Sequence, residues 1–410
     1  METITLTLTS LAHSGDALGR LPDGRACFVP FGMPGEVVRV RVVDEKKRFA
    51  RAALLEILAP ADERIEPRCT HFTECGGCHF QHIPYEAQLK VKTTQLRETL
   101  QRLAGLDDPL TRPIVPSPNP WNYRNYVQFH ITPDGEPGFR APRSRVIVPI
   151  RECYLPEPTL NERWPLLDLE PIPGLKRVGL RAGRGGDVQL TFESTELTPP
   201  EFHVDFPISA VHLGPNGSSN PIVLSGSGHI TIEVLGRPFR VSAGTFFQVN
   251  TAAAAKMVAH ILDHLPQKLG TVLDLYCGGG LFSAFLAPRA ERLIGVETHS
   301  LACDDFAFNL DEYDHVELYQ GLVEDLLPYM EVEPDLILAD PPRPGLGRRT
   351  LDAILSLSPP TLVYVSCNPG VLARDAKTLI EGGYSLAHVT PFDLFPHTYH
   401  LESISFWTRG

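Results

Sequence analysis

The sequence has no apolar run approaching the roughly 18 residues of a membrane-spanning helix. Its opening, Met1-Glu2-Thr3-Ile4-Thr5, lacks the basic and apolar regions of a secretory signal. A cytoplasmic enzyme is therefore the expectation. Excess positive charge is also missing: the formal net charge of -12 argues against a protein that coats nucleic acid by bulk attraction. Basic residues gather only locally, at Arg39, Arg41, Lys46, Lys47, Arg48 and Arg51, at Lys90, Lys92, Arg97 and Arg102, and at Arg140, Arg143, Arg145 and Arg151. No internal repeat is evident, and no Gly-x-Gly-x-x-Gly turn occurs where a dinucleotide enzyme would place it, because position 283 is Ser.

What is present suffices for two or three domains with ordinary cores: 410 residues, 43% of them hydrophobic. Residues 3 to 58 alternate polar and apolar between Gly- and Pro-bearing turns, which predicts a small β-barrel of the oligonucleotide-binding type over residues 1–60. Residues 61–242 form a central α+β segment. It holds a cysteine cluster, a helix over Tyr85 to Leu103 placed where it can pack on the catalytic domain, a proline-rich connector from Asp107 to Pro120, and strand-like text broken by a turn-forming loop at 215–221. From 243 to 410 strand and helix alternate. Val272 to Leu275, Leu293 to Val296, Val316 to Tyr319, Leu336 to Ala339 and Leu362 to Val365 predict a doubly wound, Rossmann-like parallel sheet.

Chemistry gathers at the carboxyl ends of those strands, where open α/β sheets bind ligands. After the first comes Asp274-Leu275-Tyr276-Cys277-Gly278-Gly279-Gly280, a turn that lets a ligand approach the backbone. The second ends in Glu297, an acid suited to two ribose hydroxyls. A dinucleotide enzyme could use both, but the absent phosphate motif favours S-adenosylmethionine. The fourth strand ends in Asp340-Pro341-Pro342-Arg343 and the fifth in Ser366-Cys367-Asn368-Pro369, with Glu402 after a loop returning to the same edge. A thiol beside a helix N-terminus is expected to have a lowered pKa. A thiolate, an acid and a methyl donor are what substitution at carbon 5 of a pyrimidine requires. Two alternatives are a 5-methylcytosine methyltransferase, although such enzymes usually carry Pro-Cys after the fourth strand where this chain has Asp340-Pro341-Pro342, and a non-catalytic RNA-binding protein, against which the intact Cys367 and Glu402 speak.

Asp340-Pro341-Pro342-Arg343-x-Gly345, Tyr364-Val365-Ser366-Cys367-Asn368-Pro369 and Phe395-Pro396-His397-Thr398-Tyr399-His400-Leu401-Glu402 together resemble the RNA 5-methyluridine methyltransferases, particularly their iron-sulfur members. The resemblance spans essentially the whole chain. It implies that Cys367 is the nucleophile and Glu402 the proton acceptor, and that Gln248, Tyr276, Glu297 and Asp340 surround S-adenosylmethionine, with Asp340 alternatively accepting from the uracil N–H. Residues 3 to 58 then look like an RNA-binding TRAM domain, Trp121-Asn122-Tyr123-Arg124-Asn125 like the segment that brings Arg124 to a ribosomal or transfer RNA, and no obligate protein partner is implied. Leu281 and Val371 depart from the family, which usually has Asn and Thr there. Cys69, Cys75 and Cys78, with Cys153 as fourth ligand, could hold zinc or a [4Fe-4S] cluster, since both accept four thiolates. Their spacing resembles the cluster-bearing members.

Overall fold

The computed structural model describes residues 3–106, 110–167, 169, 171–201, 203, 208–215 and 221–410. The start of the connector at 107–109 and most of the expected loop at 215–221 lie outside the described residues.

Five strands, β1 (Thr3–Leu11), β2 (Ala17–Arg20), β3 (Ala26–Val29), β4 (Val37–Glu45) and β5 (Phe49–Ala59), close a barrel in the order β1-β2-β3-β5-β4. Alternation sends Leu6, Leu8, Cys27, Val29, Val38, Val40, Ala50 and Ala52 inward. The buried Glu36 accepts from Arg64 Nε at 2.6 Å and from the Met33 amide at 2.8 Å, so the chain leaving the barrel is fastened to it.

Helix α1 (Tyr85–Ala104) ends at Gly105, whose φ of 69° supplies the left-handed C-cap. Its Leu96 and Leu100 are buried in the catalytic domain against Leu372, Ala376 and Leu379, each contributing about 1.5–3 kcal/mol. The central sheet comprises β6 (Tyr126–Ile131), β7 (Pro137–Arg140), β8 (Ile147–Pro149), β9 (Leu175–Ala182), β10 (Val188–Ser194), β11 (Ser209–Leu213) and β12 (Ile222–Ser225), with a short helix α2 (Pro158–Asn161) between β8 and β9. Its order is β12-β11-β10-β9-β6-β7-β8. A hairpin, β13 (His229–Val234) and β14 (Arg237–Ser242), leads to α3 (Thr251–Asp263).

The catalytic sheet is β15 (Leu269–Leu275), β16 (Ala290–Glu297), β17 (Val316–Gln320), β18 (Leu336–Ala339), β19 (Thr361–Ser366), β20 (Tyr384–Phe392) and β21 (Glu402–Arg409). Helices α4 (Ser283–Leu286), α5 (Ser300–Asn309), α6 (Val323–Leu326), α7 (Gly347–Leu357) and α8 (Pro369–Glu381) connect them. The order β17-β16-β15-β18-β19-β21-β20 puts the switch between β15 and β18. Both faces are covered, so successive residues such as Leu336, Ile337, Leu338 and Ala339 alternate between two cores while all are buried. β20 and β21 depart from the purely parallel sheet that the sequence predicts. β21 runs antiparallel to both its neighbours, β19 and β20, and pairing of Ser366 with Ser403 brings the start of β21 to the end of β19. Among the described residues, no helix is long and apolar enough to cross a membrane.

Candidate active site

Cys367 follows β19, Asp340 follows β18, and Glu402 opens β21 beside Cys367. Cys367, Arg343, Asn368, Tyr399, His400, Leu401 and the barrel residues His13 and Ser14 line one cavity of about 300 Å³. Cys367, Glu402 and Asp340 feel one another. Burial, then Glu402 and Asp340, push the Cys367 thiol up to about 11, against the opposing charge of Arg343. Burial and Asp340 push the Glu402 carboxyl well above the usual range, again opposed by Arg343. Burial, with Asp274 nearby, raises Asp340 to about 7.

The expected lowering of the Cys367 pKa is therefore reversed. The start of α8 is already capped: Asn368 Oδ1 accepts from the Gly370 and Val371 amides at 3.0 and 3.3 Å, so the N–H groups that would stabilise a thiolate are occupied. Removal from water and two neighbouring carboxyl groups decide the sign. Arg343, quoted in the sequence only as part of a motif, is the cation that favours both ionised forms. His13 and Ser14 could not have been read from sequence, since they lie in another domain.

At the glycine turn, Tyr276 and Gly278 adopt φ of 63° and 54°. The Glu297 carboxylate receives the amides of Gly278, Thr298 and His299 at 3.0, 2.8 and 2.7 Å, which fixes the turn relative to β16. Asp274 is buried beneath it, accepting from Ser283 Oγ at 2.6 Å and raised to about 7 by burial. Open space surrounds the position of a Gly278 side chain. Asp274, Glu297 and Asp340 would repel a phosphate and α4 has only four residues, so this turn suits a phosphate-free cationic sulfonium ligand. Tyr276 Oη lies 3.3 Å from Thr350 Oγ1. Gln248 is buried, and Asn125 holds its segment by donating to the Gln248 carbonyl at 2.9 Å and to Thr251 Oγ1 at 2.8 Å.

Cys69, Cys75, Cys78 and Cys153 line a separate cavity of about 340 Å³. Burial raises all four thiols, Cys153 to about 12, so an ionised set needs a cation within the cavity. Cys69 N–H donates to Gln81 Oε1 at 3.0 Å and Gly77 N–H to Cys75 Sγ at 3.4 Å. The residues fit a thiolate-held centre. Arg124 lines this cavity with a buried Nε that has no hydrogen-bond partner, while the residue is half-buried and its charge reaches His400 in the Cys367 cavity.

The cysteine loop is wired to the segment that leads to Glu402. His79 and Phe80 amides both donate to the His397 carbonyl, at 2.7 and 2.9 Å, and Trp121 stacks on the His397 ring at 3.6 Å. From α1, Gln88 accepts from the His397 amide at 2.9 Å, and the fully buried Lys92 donates to Asp393 Oδ1 at 2.5 Å and to the Phe395 carbonyl at 3.0 Å. These contacts fix the segment that ends in Glu402.

The tRNA (Uracil-5-)-methyltransferase family matches residues 229–409, and the TRAM domain matches residues 1–55. An uncharacterized RNA methyltransferase of Thermosynechococcus vestitus is 33% identical, with 100% of this chain and 98% of the relative covered. One from Gloeobacter violaceus is 35% identical over 100% of this chain and 97% of its own. The Pyrococcus abyssi tRNA (uracil-54, C5)-methyltransferase, solved with S-adenosyl-L-homocysteine, superposes with a TM-score of 0.76 at 26% identity, covering 99% of this chain and all of that one. On this evidence the chain belongs to the TRAM-containing RNA (uracil-5-)-methyltransferase family.

Proposed function

We propose that the protein transfers a methyl group from S-adenosylmethionine to carbon 5 of a uridine in ribosomal or transfer RNA, through a covalent bond between Cys367 and carbon 6. The observation that carries this reading is the convergence of Cys367, Glu402, Asp340 and Arg343 on one sheet edge, beside the glycine turn.

Cys367, which is partly exposed in its cavity, gives up its proton to solvent and its sulfur adds to carbon 6, and the carbon 5–carbon 6 π electrons move onto the carbonyl system as an enolate. Arg343 opposes the carboxyl groups that disfavour the thiolate. S-adenosylmethionine, which Gln248, Tyr276, Glu297 and Asp340 would hold, would supply the electrophilic methyl: carbon 5 bonds to it as the methyl–sulfonium bond breaks, and S-adenosylhomocysteine is the leaving group. Glu402 then takes the proton from carbon 5. Those electrons restore the double bond, and the sulfur departs from carbon 6. A carboxylate whose pKa is raised is a stronger proton acceptor, which is what this step requires. Reaching carbon 5 requires the uridine to leave its stack, and the cavity between barrel and sheet is where it would enter.

Cys69, Cys75, Cys78 and Cys153 would hold a [4Fe-4S] cluster, with structural zinc as the alternative. Its role is to rigidify the loop that holds His397.

Incubation with methyl-labelled S-adenosylmethionine and unmodified bulk RNA, then digestion to nucleosides, tests the reaction. Label in 5-methyluridine is expected. Label in 5-methylcytidine, or none, contradicts it.

A further inference from the structure

Away from the reacting groups, at the outer edge of the catalytic sheet, three imidazoles meet. His260 lies in the last turn of α3, His264 follows that helix four residues later, and His388 stands on edge strand β20. Spacing of four puts the first two on one helix face. One ligating nitrogen from each ring falls within 4.8 Å of the others.

The polar atoms there are poorly accounted for by the protein. His260 Nε2 and His388 Nε2 are buried without a hydrogen-bond partner. His264 Nδ1 lies 2.7 Å from the His260 carbonyl, an arrangement that puts its proton on Nδ1 and leaves a lone pair on Nε2. A backbone carbonyl fixing the tautomer of a histidine is the usual support of a metal-ligating imidazole. The lone pair meets a positive charge already, since Arg112 donates to His264 Nε2 from an exposed side chain. The end of α3 adds the partial negative charge of a helix C-terminus, which favours a cation.

We propose that His260, His264 and His388 form a binding site for a divalent transition-metal ion, with the Arg112 guanidinium as the stand-in that the ion displaces. Three neutral nitrogens and an open fourth position suit zinc, nickel, cobalt or copper rather than calcium or magnesium. The Arg112 amide stays anchored to the Val389 carbonyl at 2.8 Å while its side chain swings into water. An ion there would pin α3, β20 and the chain at 111–112 together. Packing alone is the competing account, since His388 stacks on Phe406 at 4.6 Å and 19°.

Equilibrium dialysis of the full chain against Ni²⁺, with its cysteine cavity as purified, separates the two. The wild type is expected to bind one ion more per chain than His264→Gln or His388→Gln. Arg112→Ala should bind that ion more tightly, on the order of 10-fold. Ni²⁺ should also raise the thermal midpoint of the wild type but of neither histidine variant. The cysteine cavity is common to all the proteins and cancels in the comparison. Equal binding by the wild type and both histidine variants, each showing a wild-type midpoint in metal-free buffer, overturns the proposal, as does weaker binding by Arg112→Ala.

Discussion

Replacing Lys92 by Met should disable the protein by loosening a loop that Lys92 shares with no reacting atom. Lys92 and Asp393 are wholly buried, their charges meeting at 2.5 Å, with the Tyr85 hydroxyl beside the Asp393 carboxylate. The Met side chain fills similar volume but leaves a buried carboxylate uncompensated, a loss of about 3–5 kcal/mol. At 1.4 kcal/mol per tenfold change, this is about two to three and a half powers of ten in the equilibrium holding the loop in place. The Phe395 carbonyl loses its donor as well. Folded domains have about 5–15 kcal/mol in total, so the variant should remain folded yet unfold at clearly lower denaturant. Methyl incorporation into RNA should fall mainly in kcat, because the segment 395–402 sets the position of Glu402. Adding Asp393→Asn should recover most of the lost stability, since the stranded charge is the larger part of the cost. Urea titrations followed by circular dichroism, alongside the methylation assay, read both effects. A Lys92→Met protein within about 1 kcal/mol of wild type, or a double variant no better than the single, would refute the reasoning.

Four further outcomes follow from the same geometry. Arg343→Gln removes the cation that favours both ionised groups, so turnover should drop. Since burial and the neighbouring acids hold the Cys367 thiol near 11, wild-type kcat/KM should rise with pH between 6 and 9, and a flat profile would count against thiolate attack. Burial depresses the buried His82 and His397 to about 4, below their unfolded value of about 6.5, so each contributes stability that is complete above pH 6.5 and is lost as pH falls towards 4. The slope should reach about 1.4 kcal/mol per pH unit for each imidazole, and His82→Gln should flatten it. Cys69→Ser should abolish the broad brown absorbance expected of anaerobically purified protein, and colourless wild type with stoichiometric zinc would contradict the cluster.

The sequence carried the catalytic strands well because parallel strands covered on both faces are continuous apolar runs, and Leu336 to Ala339 is such a run in both readings. β20 escaped because its alternation is interrupted by a bulge between Leu386 and His388 and it carries Pro391. β21 escaped with it, so Glu402 was placed after a loop without the strand that aims it. The motif residues could be named from sequence, but their electrostatics could not. Burial of Cys367 beside Glu402 and Asp340 reverses the sign expected for its thiol, and Asn368 caps α8 where the sequence offered the helix N-terminus to the sulfur. Contacts between distant segments were equally hidden. Nothing local says that Lys92 meets Asp393, or that His13 faces Cys367.

The central claim is that the Cys367 sulfur bonds to the pyrimidine ring during turnover. Incubating wild type, Cys367→Ala and Glu402→Gln with S-adenosylmethionine and RNA containing 5-fluorouridine, then resolving the products under denaturing conditions, tests it directly. With fluorine in place of hydrogen, carbon 5 offers no proton for the base to remove, so wild type and Glu402→Gln should carry RNA covalently bound through a peptide containing Cys367, and Cys367→Ala should carry none. An adduct that persists without Cys367, or that maps to another residue, would contradict the account.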